Sequence, residues 1–114
     1  MAYGVVHLPV YATGFRGDDI EAALQQLAPI SVNYGATRYD VYRGRDDRYK
    51  FLMVIEFDEK VQWEAFWYGE EFTDWRVACP SWFTVPLLYT WNDNVSRGIL
   101  RGAEEALVGD DELA

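Results

Sequence analysis

The stretch from Thr37 to Phe57 constrains the fold more than any other part of the chain. It holds two β-branched and aromatic runs, "TRYDVYR" and "YKFLMVIEF", joined by "GRDDR" at 44–48. Gly and Asp tolerate the backbone of a tight reversal, so the pattern predicts a β-hairpin. Side chains alternate between the faces of a strand. Phe51, Met53, Ile55 and Phe57 therefore form one wholly apolar set, and Leu52, Val54 and Glu56 take the other face. Placing Arg43 opposite Phe51 pairs Val41 with Met53 and Tyr39 with Ile55 on the apolar side. The same register sets Tyr42 opposite Leu52, Asp40 opposite Val54 and Arg38 opposite Glu56. A slip of one residue would put Asp40 opposite Met53 and bury an unpaired carboxylate, which is costly.

The remaining elements follow from period and punctuation. Residues 3–12, "YGVVHLPVYA", read as a first strand with Val6, Leu8 and Val10 inward. "TGFRGDD" is a turn, after which Asp18 or Asp19 can cap a helix carrying Ile20, Ala23, Leu24 and Leu27; Pro29 disturbs its last turn. Asp58 and Glu59 open a second helix with Val61, Trp63, Phe66 and Trp67, broken at Gly69 and followed by a further turn or two over "EEFTDWRVA". "FTVPLLYTW" at 83–91 reads as a fourth strand, and residues 95–108 as a final helix. The order β-α-β-β-α-β is that of an α+β, ferredoxin-like fold. Its four-stranded antiparallel sheet runs 4-1-3-2, with both helices on one face. Pro86 then sits in an edge strand, where a missing N–H donor is tolerated. The expected organisation is one domain over 1–94 and a C-terminal helix with an acidic tail over 95–114.

Composition bounds the partners. The 114 residues carry a formal net charge of −9, and residues 98–114 hold five of the acids against one arginine. An acidic chain without a basic stripe points away from nucleic acid and from anionic membrane surfaces. No apolar run is long enough to span a bilayer and the N-terminus has no signal-peptide pattern, so a cytoplasmic protein is expected. The single Cys79 excludes an internal disulfide framework and a cysteine-based zinc site.

The face of the sheet turned away from the helices is half polar. Parity gives it Val5, His7, Pro9 and Tyr11 from strand one, and Arg38, Asp40, Tyr42, Leu52, Val54 and Glu56 from the hairpin. Strand four adds Leu88. Such a face should not stay bare to water, and the simplest cover is the same face of a second copy in a two-fold dimer. His7, the only histidine, is either a base near neutral pH or a strand histidine hydrogen-bonded at the dimer seam. Arg38 and Glu56 are expected as a cross-strand ion pair. In a pocket, Arg38 could also hold a substrate oxyanion while Glu56 tunes His7. Tyr42 is a pocket candidate because its hydroxyl needs a partner. Trp63, Phe66 and Trp67 at helical spacing read as core, with a binding platform as the alternative. Without ligand spacing around His7, Asp40 and Glu56, no metal is expected.

At "YDVYRGRDDRYKFLMVIEFDE" (39–59), "WEAFWYGEEFTDW" (63–75) and "VPLLYTW" (85–91) the chain resembles the dimeric α/β-barrel superfamily, and most of all its antibiotic-biosynthesis-monooxygenase branch. That branch shows a similar hairpin, a strand ending in an acid, a Trp-bearing helix and an aromatic last strand. Its members include cofactor-independent quinone-forming monooxygenases, haem-degrading enzymes, polyketide cyclases, lactone isomerases and proteins with no known reaction. The haem-degrading members place a ligating His four residues after the Phe, where this chain has Arg76. They also carry an Asn on the first strand, roughly where His7 sits. Both departures point away from haem, and no cofactor is expected. In the quinone-forming members an Asn, a Trp and an Arg surround a polycyclic phenol; Trp67 and either Arg38 or Arg43 could stand in.

The resulting expectation is a homodimer, or a higher oligomer built from it, acting on an aromatic or polycyclic small molecule as a cofactor-independent monooxygenase. His7, Arg38 and Glu56 are the catalytic candidates, and Tyr11, Asp40, Tyr42, Trp67 and Leu88 the substrate-binding ones. A cyclase or isomerase on the same scaffold, or a non-catalytic binding or structural dimer, are the alternatives. The acidic tail is expected either as a solvated end or as an arm over the partner subunit.

Overall fold

A computed structural model describes residues 3–99. Strands β1 (Gly4–Tyr11), β2 (Arg38–Arg43), β3 (Lys50–Phe57) and β4 (Thr90–Asn92) form one sheet in the order β2-β3-β1-β4. All three pairings are antiparallel. This is the expected ferredoxin-like order, with the expected hairpin register: Arg38 lies opposite Glu56, Asp40 opposite Val54 and Tyr42 opposite Leu52. Helices α1 (Gly17–Ile30), α2 (Lys60–Trp67) and α3 (Glu70–Ala78) complete the fold.

The core lies between the sheet and the helices. Val6, Leu8, Val10, Met53, Ile55 and Phe57 meet Ile20 and Leu24 of α1 and Trp63, Phe66 and Phe72 of α2 and α3, all at 0% exposure. Each such aliphatic or aromatic side chain contributes roughly 1.5–3 kcal/mol by leaving water. The N-cap of α2 is Glu59, whose N–H donates to the Gln62 side-chain oxygen at 2.9 Å, satisfying one of the donors a helix start leaves open. Hairpin and α1 are tied together by Arg43, which donates to Asp18 (2.9 Å), Glu21 (2.7 Å) and the Arg48 carbonyl (2.8 Å). Its hydrogen bonds to Glu21 and Asp18 hold its pKa above the ordinary arginine value.

Several local expectations are corrected. α1 begins one residue before Asp18, with Arg16 as its N-cap and no side-chain capping bond, so both acids lie in the first turn. Pro29 does fall in the last turn of α1, which ends at Ile30 and gives way to a 3-10 turn over Ser31–Tyr34, with Ser31 Oγ donating to the Ala28 carbonyl at 2.6 Å. Strand four is much shorter than 83–91. Phe83 makes an isolated bridge to Ala12, and the Thr84 N–H donates to the Tyr11 carbonyl at 2.8 Å. The chain then leaves the sheet and rejoins it at Thr90. Pro86, without an N–H to give the ladder, lies in the excursion rather than in the edge strand. Residues 95–99 are not helical. The rest of the expected C-terminal helix and the acidic tail lie outside the described residues.

Candidate functional site

Pairing across the sheet orders the face opposite the helices into rows. Asn92, Val5, Glu56 and Arg38 form one row; Thr90, His7, Val54 and Asp40 the next; Pro9, Leu52 and Tyr42 a third. Neighbouring strands are about 4.8 Å apart, and diagonal partners in adjacent rows roughly 7–8 Å. His7 and Glu56 are such diagonal partners. Sheet geometry alone thus gathers a base, two carboxylates, a guanidinium and a phenol on one surface.

A pocket of about 330 Å³ opens on this surface, lined by His7, Arg38, Asp40, Tyr42 and Glu56 over an apolar floor of Val5 and Val54. Its remaining wall comes from Asn94, Ser96, Arg97, Gly98 and Ile99, the segment that follows β4. Val5 and Glu56 are the two buried members of the face, at 7% and 6% exposure, whereas His7 is exposed. Arg97 Nη2 donates to Glu56 Oε2, and its guanidinium lies 5.7 Å from the Tyr3 ring centre. Arg38 donates to its strand neighbour Asp40, Nε to Oδ2, at 3.1 Å. Register therefore places Arg38 opposite Glu56 as expected, but the expected ion pair between them is replaced by Arg38–Asp40 and Arg97–Glu56. The reason is geometric: β2 is the outer strand, so Arg38 can bend along its own strand toward Asp40, while Arg97 reaches Glu56 from above the sheet.

A second, more apolar pocket of about 390 Å³ adjoins the first at Tyr42 and is lined by Pro9, Tyr11, Lys50, Phe51 and Leu52 among others. Tyr11 belongs here rather than beside His7. Two expected substrate-binding residues are not brought to either pocket. Trp67 packs on the helix side, 5.4 Å from the Trp63 ring and 5.2 Å from Tyr89, under the Arg76 guanidinium at 3.8 Å. Leu88 lies in the excursion before β4 and is 69% exposed. Arg43, the alternative to Arg38, is committed to Asp18 and Glu21. Arg97 was the residue that sequence reasoning missed. Its one sequence signal is that a carboxylate in an apolar strand needs a cation, and Arg97 is the first basic residue after strand four.

Among the described residues no group of three or more His, Cys, Asp or Glu side chains is placed to hold a metal ion. Among them, too, no helix is long and apolar enough to cross a membrane.

No protein-family model matches the chain, and neither does any curated protein sequence. Solved structures do. A candidate antibiotic biosynthesis monooxygenase from Nitrosomonas europaea superposes with a TM-score of 0.73 at 15% identity, over 82% of this chain and 90% of that one. Its counterpart from Bordetella bronchiseptica gives 0.72 at 16% identity, over 84% and 100%. The Pseudomonas aeruginosa protein PA3566 gives 0.75 at 15% identity, over 84% and 97%. The chain has the ferredoxin-like α+β fold of these proteins, two of which are named as antibiotic biosynthesis monooxygenases.

Proposed function

We propose that the protein is a cofactor-independent monooxygenase of an aromatic or polycyclic small molecule, working as a two-fold dimer whose open sheet faces meet. The observation that carries this is the position of the only histidine: exposed, and lining one pocket with Arg38, Tyr42 and Glu56. Exposed Tyr11 and Tyr42 and half-buried Leu52 and Val54 on the same face support its closure by a second copy.

In this account His7 removes a proton from an acidic phenol or C–H of the substrate. The anion is delocalised over the ring, and Arg38 stabilises its oxygen. One electron then passes from the carbanion to dioxygen, and the two radicals combine as a peroxide. Loss of water leaves a carbonyl. A methylene thus becomes C=O, one oxygen atom stays in the product, the other leaves as water, and the substrate supplies every electron. A cyclase or isomerase would use the same base without oxygen.

The test is oxygen uptake with an anthrone-like phenol by the wild type and His7→Ala. Uptake by the wild type, reduced by about 10²-fold or more in the variant, is the expected result. Equal uptake by both proteins would remove His7 from the chemistry. Turnover of such a substrate in the absence of oxygen would favour the cyclase or isomerase.

A further inference from the structure

Glu56 is almost fully enclosed, so its charge requires a partner. The partner in the described structure is Arg97, and among the described residues few contacts hold the segment that delivers it. Residues 93–99 have no regular structure, and the backbone bonds among the described loops and turns include none from them. Val95 is 94% exposed, and a Cβ at Gly98 would meet nothing within 4 Å. Arg97 itself keeps 37% of its side chain exposed while the carboxylate it binds keeps 7%. The carboxylate is therefore a built feature of the sheet, and its cation sits on a loosely held strap.

We propose that Arg97 is a displaceable occupant of a cation subsite centred on Glu56, and that the pocket takes aromatic molecules carrying a protonated amine or amidine. The ligand's cation would replace the guanidinium, its apolar body would lie on Val5 and Val54, and its ring would face His7 and Tyr42. Arg38 does not block this position, because it is engaged by Asp40. The chain's charge of −9 favours the approach of a cation. An aromatic carboxylate has the wrong sign: to bind Arg97 it would have to leave Glu56 unpaired. The subsite refines the substrate class of the reaction proposed above and shares its pocket, but it depends on Glu56 and Arg97 rather than on His7.

The test is calorimetric titration with tyramine, a phenol bearing a protonated amine, and with 4-hydroxyphenylacetate, its acidic counterpart. Tyramine should bind the wild type. If the strap is seated about 90% of the time, Arg97→Ala should bind it about tenfold tighter, because the competing occupant is gone. Glu56→Gln should bind it at least about tenfold more weakly. The weakening caused by Glu56→Gln should persist in the His7→Ala background, which separates failure of the base chemistry from failure of the subsite. In the unaltered protein, saturating tyramine should speed tryptic cleavage at Arg97–Gly98 relative to cleavage in the 44–48 loop. Tyramine binding that is absent, no better than that of the acid, or unaffected by Glu56→Gln would overturn the subsite, as would an unchanged cleavage ratio.

Discussion

Arg97 reaches back 41 positions along the chain to bind Glu56, a carboxylate carried by a strand that is otherwise almost wholly apolar. The two partners differ in what they face when the bond is lost. Arg97 can return to water; Glu56 cannot. Arg97→Ala is therefore expected to destabilise the fold more than Glu56→Gln does. Leaving a buried carboxylate unpaired costs about 3–5 kcal/mol in a sealed core; a strap seated about 90% of the time limits the cost here to about 1.4 kcal/mol. Glu56→Gln keeps shape and hydrogen-bonding capacity and should cost under about 1 kcal/mol. Urea unfolding of the two variants measures the difference, and equal costs would contradict the asymmetry.

Trp91 lies against β1 only because residue 4 has no side chain. A Cβ at Gly4 would come within 2.0 Å of the Trp91 ring. Gly4→Ala should displace that ring from the core it packs on and disturb the short β1–β4 pairing. The expected cost is about 1–3 kcal/mol, typical of forcing atoms into a filled site. Thermal unfolding checks it, together with the Trp emission, which should shift to the red as the indole meets water.

Tyr34 and Glu71 make the stability depend on pH. The Tyr34 hydroxyl donates to Glu71 Oε1 at 2.7 Å. That bond holds the Glu71 carboxyl below its ordinary range, aided by a backbone bond, and raises the Tyr34 phenol. A depressed carboxylate contributes stability above its unfolded pKa and loses it as pH falls through the folded value. A raised phenol contributes below its unfolded pKa, about 10, and loses it as pH rises through the folded value. The melting-temperature difference between wild type and Tyr34→Phe should thus be widest near neutral pH, and shrink as pH falls below the ordinary glutamate value of about 4.3 or rises above about 10. A difference independent of pH would show that the hydroxyl acts through packing alone.

Much of this architecture was legible in the sequence because strands have a period of two. The apolar set Phe51, Met53, Ile55 and Phe57 identifies the core side, and the cost of burying Asp40 selects a single hairpin register. With Val6, Leu8 and Val10 as the inward set of strand one, those two facts place His7, Arg38, Asp40, Tyr42 and Glu56 on one face. What stayed illegible depends on backbone that does not repeat. "FTVPLLYTW" has strand composition, yet Pro86 interrupts the ladder and Tyr89 turns toward Trp63 at 4.9 Å, so Leu88 never reaches the open face. Trp67 follows the period of its helix into the aromatic core. Arg97 lies on an irregular segment, and no periodicity foretells where such a segment crosses a sheet.

As proposed, the pocket around His7 adds one atom of dioxygen to an acidic aromatic substrate without a cofactor. The most direct test is a single turnover of an anthrone-like substrate under ¹⁸O₂, with the product read by mass spectrometry. One ¹⁸O atom per product, one dioxygen consumed per substrate, and no product from His7→Ala on the same timescale are expected. Product that forms without oxygen, or that carries no ¹⁸O beyond exchange with water, would contradict it.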